Sequence, residues 1–171
     1  MADGTLPQSA FRHYLVQDYL FLIHFARAYA LAIYKGTSLG EMRAAQEGLK
    51  AIIDVEMDLH VGLSGQWGMS PEDLEAAPES RATLAYTRFV LETGLRGDLL
   101  DLHVALAPCV IGYAEIAGRI ASLPGALDEG NPYRVWISEY AGEDYQSVAI
   151  AARKTLDDLA RRSLTEDRFP Q

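Results

Sequence analysis

Between Phe11 and Lys35 the apolar residues Phe11, Tyr14, Leu15, Phe21, Leu22, Phe25 and Tyr29 recur every three or four positions. That spacing lines one face of an α-helix of 3.6 residues per turn and cannot line one face of a strand. The same rhythm predicts further helices over Glu41 to Leu63, Ser80 to Leu95, Asp98 to Ser122, Tyr133 to Tyr140 and Glu143 to Ala160. Ser9 is expected to cap the first, and a short helical turn is expected after Pro71. No run alternates convincingly as a strand, and neither a repeat nor an interdomain linker interrupts the pattern. The expectation is a single all-α domain over residues 1–171, its helices long enough for a bundle.

Composition fits that expectation. At 49% hydrophobic the 171 residues can bury a sizeable core. A net charge of −9 disfavours nucleic acid and anionic membranes, and is compatible with a small cationic or neutral partner. One cysteine allows no internal disulfide. The start "MADGTLPQ" has neither the basic nor the apolar region of a secretory signal. Apolar segments interrupted by residues such as Asp18, His24 and Arg27 are not expected to span a membrane, so the expected location is the cytoplasm.

Three features point to chemistry. Asp18 lies in the middle of the first apolar stripe. A carboxylate taken out of water there needs a partner. It is either a structural group bonded to a neighbouring helix or an acceptor for the polar edge of a ligand; periodicity does not choose. Cys109 lies on a stripe running through Leu102, Ala105 or Leu106, Tyr113 and Ile116, and directly follows Pro108. Inward cysteines usually serve as small hydrophobes. A proline inside a helix, however, costs on the order of 3 kcal/mol, removes a hydrogen bond and collides with the carbonyl four residues back, here that of Val104. A kink beside the sole thiol would open a concave site. Finally, nine tyrosines outnumber five phenylalanines and two tryptophans. Tyr86, Tyr113 and Tyr140 on inner faces would form an aromatic slot with a few polar groups, as small-molecule pockets do. Glu56 and His60, four apart, could ligate a metal, but the pair of Glu-x-x-His motifs of a di-iron bundle is missing, and a solvated helix pair is the plainer expectation.

The stretches "YLVQDYLFLIHFARAYALA", "LAPCVIGYAEIAG" and "NPYRVWISEYAGEDY", with the opening "ADGTLPQSAF", together resemble the TenA (thiaminase II) family from Ala2 to Phe169. The resemblance implies a haem-oxygenase-like helix bundle assembled as a homotetramer and needing no metal or organic cofactor. It implies hydrolysis of 4-amino-5-aminomethyl-2-methylpyrimidine to the hydroxymethyl compound and ammonia in thiamin salvage, thiamin itself being a poorer substrate. By the same resemblance Cys109 is the nucleophile and Asp18 binds the ring nitrogen and exocyclic amine. Tyr86, Tyr113 and Tyr140 line the slot, and Phe21 stands where many members have a tyrosine.

Because a free thiol with a pKa of ~8.5 is only a few per cent thiolate at neutral pH, the site must assist it. In the family a glutamate on a final helix does so. Ser163-x-x-Glu166 resembles the capping box that opens a helix, yet few residues follow it. The family's first helix, ahead of the "GDGTL" turn, and its last are therefore expected to be missing, with activity impaired, apolar grooves uncovered, and either an oligomer covering them or a marginally stable protein. The alternatives are a family member that binds a pyrimidine without turnover and, further off, a helical di-metal oxidase.

Overall fold

The computed structural model describes residues 1–163, and among them every regular element is helical. Helix α1 (Gln8–Lys35) begins one residue after Pro7, whose backbone (φ −58°, ψ 131°) is non-helical. Ser9 therefore lies inside the first turn and does not cap it. Phe11, Leu15, Asp18, Leu22, Phe25, Ala28 and Ala32 form the buried face, while Tyr14, Phe21 and Tyr29 lie on its half-buried shoulders.

Ser38 caps α2 (Leu39–Ala51), its hydroxyl accepting the Glu41 N–H. A π-helical turn, Ile52–Glu56, leads directly into α3 (Met57–Gln66). The sequence predicts one unbroken helix here, with Ile53 among its apolar positions. Ile53 is instead 51% exposed and Ile52 is 3% exposed. On a straight α-helix the eight steps from Ile52 to His60 turn about 80° past the starting face. The wider π turn absorbs that excess, so both residues end up buried.

A reciprocal capping box between Ser70 and Asp73 starts α4 (Pro71–Ala76), whose Leu74 packs with Tyr19 and Leu20 of α1. Ser80 caps α5 (Arg81–Arg96). Lys35, at the end of α1, donates from Nζ to the carbonyls of Leu95 (3.3 Å) and Gly97 (2.6 Å), satisfying acceptors at the end of α5. A Cβ on Gly94 would come within 2.7 Å of Leu102 and 2.8 Å of Leu31, so any side chain here forces those two leucines to shift.

These elements, Pro7 through Leu102, make one of two compact units; Met1–Leu6 and the described residues from His103 onward make the other. The boundary falls within α6 (Leu99–Ala107), which continues through a second π turn, Pro108–Gly112, into α7 (Tyr113–Ala121). Contrary to the expectation from sequence, Leu99–Ala121 is long and apolar enough to cross a membrane, with a mean hydropathy of 1.5. Leu102, Ala105, Leu106, Val110, Ala114 and Ala117 along it are buried, and 33% of its most apolar stretch lies inside the protein. Helices α8 (Arg134–Ala141) and α9 (Glu143–Ser163) complete the second unit and pack with α7 and its π turn. Ser163 is the last described residue and is helical; the rest of its expected capping box, with the helix it announces, lies outside the described residues.

The N-terminal arm is fixed by Asn131, whose amide nitrogen lies 2.9–3.2 Å from the carbonyl oxygens of Met1, Ala2, Gly125 and Ala126. Its Oδ1 accepts the Tyr133 N–H (2.9 Å), and the Tyr133 hydroxyl donates to the Leu6 carbonyl. Asn131→Asp keeps the shape but sets an oxygen against four acceptors. It is expected to cost at least about 3 kcal/mol and more than Asn131→Ala. Urea denaturation measures both; a smaller loss for the aspartate would contradict the assignment.

Candidate functional site

Asp18 is only 8% exposed. Its Oδ2 accepts two hydrogen bonds, one from the Tyr14 hydroxyl a turn earlier on α1 (2.7 Å) and one from Nε2 of His60 on α3 (2.6 Å). His60 is completely buried, and its Nδ1 lies 3.0 Å from the backbone carbonyl of Glu56, the last residue of the first π turn. The carbonyl can only accept, so Nδ1 carries a hydrogen, and the second imidazole proton lies between Nε2 and the carboxylate. The solvated Glu56–His60 pair expected from sequence is thus corrected: the histidine is inside, and it uses the Glu56 main chain. Among the described residues no three His, Cys, Asp or Glu side chains gather as metal ligands would.

Burial alone would push the His60 pKa down, but the hydrogen bond and charge of Asp18, helped by Glu56, hold it above the usual histidine value. The sign for stability follows. This contribution is complete below the unfolded pKa of about 6.5 and is lost as the pH rises through the raised folded value. His24 goes the other way. Its burial, reinforced by Arg88 and Arg27, outweighs the Glu79 carboxylate 2.9 Å away and lowers its pKa. Histidine ring resonances followed by NMR should therefore titrate above pH 6.5 for His60 and below it for His24; the reverse order would contradict both environments.

One turn beyond Asp18 on α1, the half-buried Phe21 ring stacks on Tyr86 of α5, with centroids 5.9 Å apart and planes 22° apart, and on Phe25 at 5.2 Å. Asp18, Phe21 and Tyr86 thus belong to one neighbourhood of the first unit.

In the second unit Cys109 is half-buried on the Pro108–Gly112 turn. Proline supplies no N–H and its ring crowds the preceding turn; the π turn starting at Pro108 accommodates both. The added width also shifts the face beyond it. Ile116, expected on the inner stripe, is 53% exposed, and Ala114 and Ala117 are buried instead.

Tyr113 and the buried Tyr140 come together as expected, edge to face at 5.2 Å. Trp136 joins them, 4.8 Å from Tyr140 and 6.0 Å from Tyr113. Tyr145 lies 4.7 Å from Tyr140, and its hydroxyl donates to the Cys109 carbonyl at 3.2 Å. Gln146 braces the cluster by donating to the carbonyls of Ala114 and Tyr140, each at 3.0 Å. Sequence reasoning missed Trp136 and Tyr145, placed Tyr14 only on the apolar stripe, and gave His60 only as a possible metal ligand or solvated partner of Glu56. The first two lie in "NPYRVWISEYAGEDY", where Trp136 and Tyr140 at i,i+4 were the available signal; His60, flanked by Leu59 and Val61, was another.

The chain and its fold have known relatives. The structure of a TenA family transcription regulator from Silicibacter sp. TM1040 is 49% identical with a TM-score of 0.87, over 96% of this chain and 71% of that one. The TenA homologue of P. horikoshii OT3 is 28% identical with a TM-score of 0.85, over 92% of this chain and 73% of that one. The aminopyrimidine aminohydrolase of Halalkalibacterium halodurans is 40% identical over 161 residues, 94% of this chain and 71% of the relative. Residues 1–168 match the TENA/THI-4/PQQC family, and the chain, with its all-helical TenA-type fold, belongs to that family.

Proposed function

We propose that this chain hydrolyses an aminopyrimidine of thiamin salvage, replacing the amine of 4-amino-5-aminomethyl-2-methylpyrimidine by hydroxyl and releasing ammonia. The observation that carries the reading is Cys109 itself, half-buried on a π turn and held through its carbonyl by the hydroxyl of Tyr145, whose ring packs on Tyr140. The 40% identity to an aminopyrimidine aminohydrolase across 94% of the chain supports the substrate class.

Each residue then has a role. The Cys109 thiolate adds to the electron-poor ring, and the electron density so gained expels the side-chain amine. Water supplies the oxygen of the product, and departure of the thiolate restores the ring. Asp18 accepts hydrogen bonds from the aminopyrimidine edge and fixes its orientation. Phe21, Tyr86, Tyr113 and Tyr140 offer flat surfaces for a flat heterocycle. The reading takes the chain as one TenA-type domain, acting in the cytoplasm as a homotetramer. Exposed Phe89 and Leu95 on α5 and Ile150 on α9 are apolar surface available to such contacts.

Ammonia release from the aminomethyl-pyrimidine, measured with purified protein, tests the reaction. Calorimetric binding of the pyrimidine with no ammonia would replace it by a binding function without turnover.

A further inference from the structure

A carboxylate that must recognise one edge of a heterocycle has to be held in rotation, since turning about its Cβ–Cγ bond redirects both oxygens. In this chain two donors converge on one oxygen from different directions. The Tyr14 hydroxyl comes from the same helix, and the His60 imidazole crosses from α3. At 2.7 and 2.6 Å both contacts are as short as charge-assisted hydrogen bonds. The imidazole cannot swing either, because the Glu56 carbonyl holds its other nitrogen at 3.0 Å. A rigid line therefore runs from the backbone of the first π turn through a fully buried histidine to a carboxylate that retains 8% exposure.

We propose that His60 and Tyr14 are positioning residues that lock the Asp18 carboxylate in the orientation that receives the aminopyrimidine edge. This rests on the substrate-anchoring role given to Asp18 above. The shared proton between His60 and Asp18 also means that the carboxylate negative charge is balanced inside the core, so it need not be neutralised there to be buried. A pair serving folding alone would change stability and leave the pyrimidine affinity of the folded protein untouched. A positioning pair depends on the donor.

The test is calorimetric binding of the product, 4-amino-5-hydroxymethyl-2-methylpyrimidine, alongside KM and kcat for ammonia release, in the Asp18→Asn, His60→Leu, His60→Gln and Tyr14→Phe variants. His60→Leu is expected to weaken binding about 10- to 100-fold, as loss of a hydrogen bond to a charged group does, with the loss appearing in KM more than in kcat. His60→Gln, whose side-chain amide can place an N–H near the position of Nε2, should recover most of it. Tyr14→Phe should weaken binding less than His60→Leu, but measurably.

Wild-type binding in His60→Leu and Tyr14→Phe, with binding lost in Asp18→Asn, overturns the positioning role and leaves the Asp18 anchor standing. Wild-type binding in Asp18→Asn overturns the anchor and the inference together. Equal losses in His60→Leu and His60→Gln reduce the histidine to packing and overturn its role. Should His60→Leu fail to fold by circular dichroism, Tyr14→Phe decides, and unchanged affinity in that folded variant overturns the inference.

Discussion

Alanine at Cys109 is expected to lower ammonia release by at least ~10³-fold while leaving pyrimidine affinity close to that of the wild type, because the thiol acts in bond-making and not in holding the ring. Serine at the same position should be nearly as impaired, since an alkoxide is far harder to form than a thiolate at neutral pH. The backbone supports a clean outcome. Cys109 is half-buried, so the substitution opens little void, and the Tyr145 hydrogen bond goes to the carbonyl of residue 109, which no side-chain change removes. A steady-state ammonia assay paired with calorimetry separates the two quantities. Serine matching wild-type turnover would remove the thiol from the mechanism, and affinity falling in step with rate would recast it as a binding group.

Trp136→Ala is expected to give the largest loss of stability, about 3–5 kcal/mol, in the range for truncating a buried aromatic. The indole is 5% exposed and touches both Tyr113 and Tyr140, so its removal deletes two ring contacts and leaves a void beside those rings. Trp136→Phe keeps one ring in the gap and should cost well under half as much. Urea unfolding measures both through the midpoint at constant slope. A loss below about 1 kcal/mol in the alanine variant would mean that the neighbouring rings collapse into the space.

Much of this architecture can be read from local pattern. The three-and-four spacing locates the long helices, Ser80 opens α5, and the break at Gly142 separates α8 from α9. The gathering of Tyr113 with Tyr140, and of Phe21 with Tyr86, follows the inner faces that the pattern marks. The misplacements have a common physical source. Ile53 lies in one π turn and Ile116 follows the other, and hydropathy alone does not reveal a turn that holds an extra residue. The His60–Asp18 contact joins positions 42 apart in the chain, and no local spacing rule reaches that far. The carboxylate was legible as a group needing a partner; which partner it takes depends on how α3 packs on α1.

The arm Met1–Leu6 has no helix or strand, yet Asn131 grips its start and Tyr133 its end, and these two residues are bonded to each other. Fraying one residue at a time is therefore closed to it: releasing either end breaks a bond to a shared clasp. Arm and clasp should open together as a single cooperative step, and their amide hydrogens should exchange with solvent at a common rate.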